Sequence, residues 1–267
     1  GFRYGIETDY WNYKEIFDQT YSNKAYYRGI EAGFIWLILQ YKNIFNTTNF
    51  NGFIFLIAFI SVGIKIICIK RYRNPFLALF IYFVWVYIML EFNTIRQGTS
   101  IAFLLLAVEY QKKDKKLLYI LFLVVATLFH TSSILFFLGF LLKGRKLSFK
   151  KITLIVFLAI LASIFVFPVI GRLVGHFSGS LSFVRKVFGY LKYDSRLISF
   201  GLFRRVVLIY LFYFMLPKNE KNQIDNLYFN YFFLGSIIFI IFQSNIIISN
   251  RLCLSFEMFI VSLISNT

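Results

Sequence analysis

The segment EFNTIRQGTS, residues 91–100, places an arginine between two strongly apolar runs. An ionisable side chain at the edge of a hydrocarbon phase is costly, so Arg96 needs either a partner or a function there. It opens a polar run at a predicted helix start. Because a planar guanidinium matches phosphate oxygens and a helix N-terminus attracts anions, Arg96 and Gln97 are candidates for binding a phosphate group. The alternative is an arginine that only extends to the membrane interface.

A second polar position interrupts an apolar run at His130, within ATLFHTSS. Its imidazole suits a general base or a substrate ligand, and the alternative is a neutral histidine that satisfies a buried turn. A zinc site is not expected, because Cys68 and Cys253 lie in apolar segments and no carboxylates cluster with the two histidines. The sequence also lacks a phosphate loop, a nucleophile elbow and a dinucleotide fingerprint. We therefore expect no cofactor.

The composition requires a membrane. Of the 267 residues, 59% are hydrophobic and 36 are phenylalanine, and the mean hydropathy is +0.69. Apolar runs such as residues 53–69, 152–174 and 227–248 approach or exceed the roughly 20 residues that a helix needs to cross a bilayer. We predict an all-α, polytopic transmembrane helix bundle that forms a single domain over residues 1–267. The chain begins without an initiator methionine or a signal peptide, so we expect a further N-terminal helix in a longer protein.

The charge distribution predicts an orientation. The net charge of +17 would suggest nucleic-acid binding in a soluble protein, but here the lysines concentrate in short loops between apolar runs. These loops are residues 70–74, 111–116, 143–151 and 217–221. Short basic loops stay on the cytoplasmic side, so the spans between them come in pairs. Residues 117–142 should then form two short helices that turn near His130, with residues 1–49 outside and the C-terminus inside.

One predicted outer segment is unusually basic. Residues 172–205 contain many arginines and lysines and one acid, Asp194. Apolar side chains at positions 184, 187, 188 and 191 have the spacing of an amphipathic helix lying along the outer leaflet. Within the outer loop 174–201, such a helix would either rest on anionic headgroups or cover a phosphate-bearing lipid. Residues 28–42 contain an apolar run too short to span and should dock at the same interface.

Four stretches together resemble a known family. They are FRYGIETDYWNYKEIFD, TIRQGTSIAFLLLA, YILFLVVATLFHTSSILFF and NRLCLSFEMF. In order and spacing they are similar to the EpsG-like branch of the Wzy-type polymerases, which assemble O-antigen, capsular polysaccharide and exopolysaccharide. The resemblance covers most of the chain.

This resemblance implies a multi-pass glycosyltransferase of the bacterial cytoplasmic membrane. It would transfer a glycan from one undecaprenyl pyrophosphate to a sugar hydroxyl of the next lipid-linked repeat unit, on the outer face. Arginines would stabilise charge on the pyrophosphate, and a base would activate the hydroxyl. The implied catalytic residues are Asp9, Arg96 and His130, and the implied substrate-binding residues are Arg3, Gln97, Arg172, Arg196 and Arg251. Its partners would be the undecaprenyl-pyrophosphate-linked oligosaccharide, membrane lipids and other polysaccharide assembly proteins, but no nucleic acid.

Two other functions compete with this interpretation. A flippase or exporter of lipid-linked oligosaccharides would also need outward arginines, but it should show charged residues through the bilayer midplane and an internal repeat. The predicted spans have almost no charge at their centres. A membrane acyltransferase would use His130 as a base, but the sequence shows no second catalytic partner beside it.

Overall fold

The computed structural model describes residues 10–22, 29–92, 94–142, 144–176, 199–216 and 223–266. Within these ranges the regular structure is helical and contains no strand, which confirms the all-α prediction. The amphipathic helix predicted around residues 184–191 lies outside the described residues. The chain divides into two compact units, Gly1–Phe137 and Leu138–Thr267. The single domain over residues 1–267 stays a prediction.

The first unit contains six α-helices within its described residues. They are α1 (Tyr10–Gln19), α2 (Ala32–Phe45), α3 (Phe50–Ile69), α4 (Pro75–Ile81), α5 (Ile95–Lys112) and α6 (Lys116–Phe129). A π-helical segment, Tyr82–Phe92, continues α4, and a 3₁₀ segment, Thr131–Leu141, follows α6. Asparagines fix two of the helix starts: the Asn49 side chain accepts from Gly52 N, and the Asn74 side chain accepts from Leu77 N, just before Pro75 at the first position of α4.

An aromatic core holds the N-terminal helices together. In α1, Tyr13 and Phe17 lie one helical turn apart and are both buried. The Phe17 ring centroid lies 5.3 Å from that of Phe53 in α3, and the Tyr13 centroid lies 5.7 Å from that of Phe34 in α2. Lys42 Nζ also donates to the Phe17 carbonyl at 2.6 Å. The helix α1, which sequence patterning did not predict, is thus fixed against α2 and α3.

The chain breaks at His130, as the loop charges predicted. Helix α6 ends at Phe129, and His130 has extended backbone angles, φ −154° and ψ 118°. The 3₁₀ segment then returns along α6, since Tyr119 Oη donates to the Phe136 carbonyl at 2.6 Å. Ser100 of α5 donates to the Ala126 carbonyl at 2.8 Å. These contacts place the start of α5 beside the break at His130.

The second unit contains four helices within its described residues. They are α7 (Phe149–His176), α8 (Phe200–Met215), α9 (Gln223–Phe242) and α10 (Ile246–Asn266). Helices α9 and α10 approach closely, because a Cβ at Gly235 would collide with the Phe256 side chain. The rings of Tyr231 and Phe259 stack at 4.9 Å between centroids. Ser199 caps α8 by accepting from Leu202 N.

Among the described residues, three helices have the length and apolar composition to cross a bilayer: Phe50–Ile69, Gln223–Phe242 and Ile246–Asn266. Large apolar side chains on α3 and α4, among them Phe55, Phe59, Phe76 and Phe80, are exposed. Large exposed apolar side chains of this kind suit lipid better than water. The chain is therefore a membrane protein. The number and orientation of its spans stay predictions.

Candidate functional site

The side chain of Arg96 forms an ion pair with a residue distant in sequence. Arg96 lies in the first turn of α5, and its Nη1 donates to Oε2 of Glu31, the residue immediately before α2. The Arg96 side chain is 24% exposed and that of Glu31 is 14% exposed. The pair is sheltered enough to be strong, yet the guanidinium remains reachable from outside the protein.

His130 approaches the other oxygen of the same carboxylate. Its Nδ1 lies 3.5 Å from Glu31 Oε1, and Thr131 Oγ1 lies 3.5 Å from the same oxygen. Both separations are longer than ordinary hydrogen bonds of about 2.7–3.2 Å. Glu31 therefore brings together Arg96 and His130, the two catalytic candidates that the structure describes.

The charges around Glu31 keep it ionised. Glu31 precedes α2 and lies outside the three candidate spans. Burial alone would raise the pKa of Glu31, but the contact with His130 and the charge of Arg96 lower it from 4.5 to about 2. The carboxylate is consequently negative at neutral pH and holds the cationic Arg96 in place.

Helix α1 forms one wall of the site. The Cζ atom of Arg96 lies 5.7 Å from the centroid of the Tyr13 ring, within the range of a cation–π contact. Because α1 packs on α2 and α3, the ring is fixed independently of Arg96. The guanidinium is thus held by a carboxylate and an aromatic side chain.

Several polar atoms at this site have unused hydrogen-bonding capacity. Arg96 Nε, His130 Nε2 and Ser132 Oγ are buried and make no hydrogen bond with any described residue. Buried polar atoms in native proteins are usually paired, so each such atom requires an explanation. Chemically, the Arg96 nitrogen can donate to an anionic oxygen, and the His130 nitrogen can exchange a proton with a hydroxyl.

The structure describes only part of the predicted site. Gln97 is buried in α5, and Arg251 is exposed on α10 in the second unit. Arg172 lies in α7, but its side chain is outside the described part of the structure. Asp9, Arg3 and Arg196 also lie outside the described residues. Their roles stay predictions.

Glu31 was missed by sequence reasoning. The sequence shows no acidic partner beside His130, but the structure places Glu31 there, from a helix start far away in sequence. A signal was present: Glu31 is an acid directly before an apolar run, in a chain with 12 acidic and 29 basic residues. The pairing itself depends on how α2 packs beside α6, which residue spacing does not show.

The comparison with known proteins agrees with the sequence resemblance. The model of the EpsG family matches residues 1–267, the whole chain. No curated protein and no solved structure matches this chain. The family is one of Wzy-like polymerases, and it supports a polymerase-like function in exopolysaccharide synthesis. The chain belongs to the EpsG family.

Proposed function

We propose that this protein is a polysaccharide polymerase that uses glycans linked to undecaprenyl pyrophosphate. It would work on the outer face of the bacterial cytoplasmic membrane as a multi-pass protein, with residues 1–49 outside, and alongside other polysaccharide assembly proteins. The observation that carries the proposal is the convergence of Arg96 and His130 on Glu31. An anion-binding group and a base thereby lie at one site.

The reaction would exchange one bond at the anomeric carbon. The bond from this carbon to the pyrophosphate oxygen breaks, and the electron pair leaves with the pyrophosphate. A new bond forms to a hydroxyl oxygen of the acceptor sugar, whose proton passes to the base. Arg96 stabilises the charge that develops on the leaving group, and His130 or Asp9 receives the proton. The pyrophosphate would be bound further by Arg3, Gln97, Arg172, Arg196 and Arg251.

Glu31 would act through its two neighbours. A carboxylate facing His130 Nδ1 favours the tautomer that carries its proton on that nitrogen, which leaves a lone pair on Nε2. The same carboxylate orients the Arg96 guanidinium, so fewer side-chain conformations are lost when substrate binds. We therefore assign Glu31 as a positioning residue.

The contact between Glu31 and His130 also suits a second function, acyl transfer, because it supplies the partner that a histidine base would need. The Arg96 side chain does not fit that chemistry as well, since an acyl donor need not carry a pyrophosphate. Family membership favours the polymerase. Loss of an acyltransferase would remove acyl groups from a polymer of normal length, whereas loss of a polymerase would shorten the polymer.

The deciding experiment is the length distribution of surface polysaccharide in a strain lacking the native gene. Arg96→Ala should leave single repeat units outside the cell, and Arg96→Lys should restore short chains only, because lysine keeps the charge but loses the bidentate fork. Arg73→Ala, at an exposed arginine of the same unit, is the matched control and should give normal ladders. Normal ladders from both Arg96 variants would contradict the proposal, and repeat units trapped inside the cell would indicate a flippase.

A further inference from the structure

The second unit contains its own cluster of arginines around a glutamate. Arg204 Nη2 donates to Glu257 Oε1 at 2.9 Å, and Arg205 Nη2 donates to the same oxygen. Both arginines lie near the start of α8, and Glu257 lies in α10. Two guanidinium groups thus share one carboxylate oxygen.

Arg205 is the unusual member of this cluster. Its side chain is 1% exposed, and its Nε and Nη1 have no hydrogen-bond partner among the described residues. The Cζ atom lies 4.8 Å from the centroid of the Phe239 ring, which holds the guanidinium plane. Leaving two donor atoms of a buried cation unpaired is costly. If the cluster only held the helices together, one arginine paired with Glu257 would be sufficient.

The surroundings of the cluster are fixed. Gln243 Oε1 accepts from Ser199 N at 3.3 Å, and Gln243 Nε2 lies 3.4 Å from Ser163 Oγ. This network ties the start of α8 to the end of α9 and to α7. The two arginines therefore lie on a helix whose start is held in place.

We propose that Arg204 and Arg205 bind the diphosphate of a second prenyl-linked substrate. This inference rests on the proposed function, in which donor and acceptor each carry a diphosphate and Arg96 can hold only one of them. Glu257 occupies the anion position in the present structure and is displaced when the diphosphate enters. Entry is possible beside Arg204, whose side chain is 32% exposed.

The test is a binding stoichiometry on the full-length chain in nanodiscs of neutral lipid, with farnesyl diphosphate as the probe. The wild-type protein should bind at two sites. Arg205→Gln should weaken one site roughly tenfold to hundredfold, as expected for lost charge-assisted hydrogen bonds. Arg204→Gln should weaken the same site. It is the variant to use if Arg205→Gln does not fold. Arg145→Gln, at an exposed arginine of this unit, is the control and should leave both sites unchanged.

Glu257→Gln gives a result of opposite sign. Removal of the negative charge of Glu257 should tighten binding at the second site about tenfold, because the side chain then no longer competes with the diphosphate for Arg204 and Arg205. A purely structural ion pair predicts no second binding site in either the wild type or this variant. Unchanged or weaker binding in correctly folded Glu257→Gln would overturn the inference.

The two proposals fail in different ways. One site that is lost only in Arg96→Ala would overturn the second site and leave the proposed function intact. One site that is lost only in Arg205→Gln would overturn the role of Arg96 and leave the second site intact. Absence of all binding would overturn both proposals. Inorganic pyrophosphate should compete at the second site if the diphosphate group alone is recognised. Loss of that site in nanodiscs containing phosphatidylglycerol would instead assign it to a lipid headgroup and overturn the diphosphate inference.

Discussion

Lys65 of α3 and Glu91 of the π-helical segment form a buried ion pair. Glu91 Oε1 also accepts from Tyr82 Oη at 3.1 Å, while Ser61 Oγ lies 3.1 Å from Oε2 and 2.9 Å from Lys65 Nζ. Both carboxylate oxygens are thereby satisfied within the protein. Glu91 closely precedes Arg96 in sequence, so this network anchors the turn that presents Arg96.

Breaking this pair should destabilise the protein strongly. Lys65→Met leaves Glu91 as an uncompensated buried charge, and we expect a loss of about 3–5 kcal/mol, measured by thermal or chemical unfolding in detergent. The double variant Lys65→Met with Glu91→Leu should recover most of that loss. Lys14→Met, which removes an exposed ion pair to Asp18, is the control and should cost about 0.5 kcal/mol or less. Equal effects of Lys65→Met and Lys14→Met would disprove the role of the buried pair.

Replacing Glu31 should reduce transfer without preventing insertion. Glu31→Gln keeps the shape but removes the charge that orients Arg96 and selects the His130 tautomer, so the rate of polymerisation should fall about a hundredfold or more. The measurement is the rate of chain extension from purified lipid-linked repeat units. Glu15→Gln, at an exposed acid of α1, serves as the control. A wild-type rate and wild-type pH profile for Glu31→Gln would exclude Glu31 as a positioning residue.

The stability of the protein should depend on the ionisation of Glu31 only under acidic conditions. Its pKa is lowered on folding from 4.5 to about 2. The stabilisation from the carboxylate is therefore fully present above about pH 4.5 and is lost as the pH falls towards 2. Melting temperatures of wild type and Glu31→Gln, measured across this range, should differ by a constant amount at neutral pH and converge on acidification. A difference that does not change with pH would contradict this prediction.

Cysteine labelling can test the predicted orientation. In a variant without the native cysteines, single cysteines introduced at Asn12 and Asn250 should react with an impermeant thiol reagent outside the cell. Residues introduced at Lys115 and Lys150 should react only after the membrane is permeabilised. All four positions are exposed in the structure, so a lack of reaction reflects the side of the membrane and not burial. Labelling at Lys150 in intact cells would place the loop 143–151 outside and refute the paired spans.

The sequence predicted the helices better than it predicted their contacts. Apolar runs and basic loops gave α3, α9 and the break at His130, because these depend on local composition and charge. Helix α1 was not predicted, because its aromatic side chains become buried only when they pack against Phe34 and Phe53. Glu31 was missed because its contacts with Arg96 and His130 likewise join residues that are distant in sequence. Arg96 and His130 could be named as candidates from the sequence because each is a polar residue within an apolar run.

The winding of the segment Tyr82–Phe92 has a consequence for how this region tolerates change in length. Tyr82 and Glu91 are nine positions apart. In an α-helix of about 3.6 residues per turn, positions at that separation point in opposite directions. The wider π-helical turns bring them into phase, so both reach the same carboxylate network. Removing a single residue between them would shift this phase and direct Glu91 away from Lys65. The segment should therefore accept many apolar substitutions but no deletion.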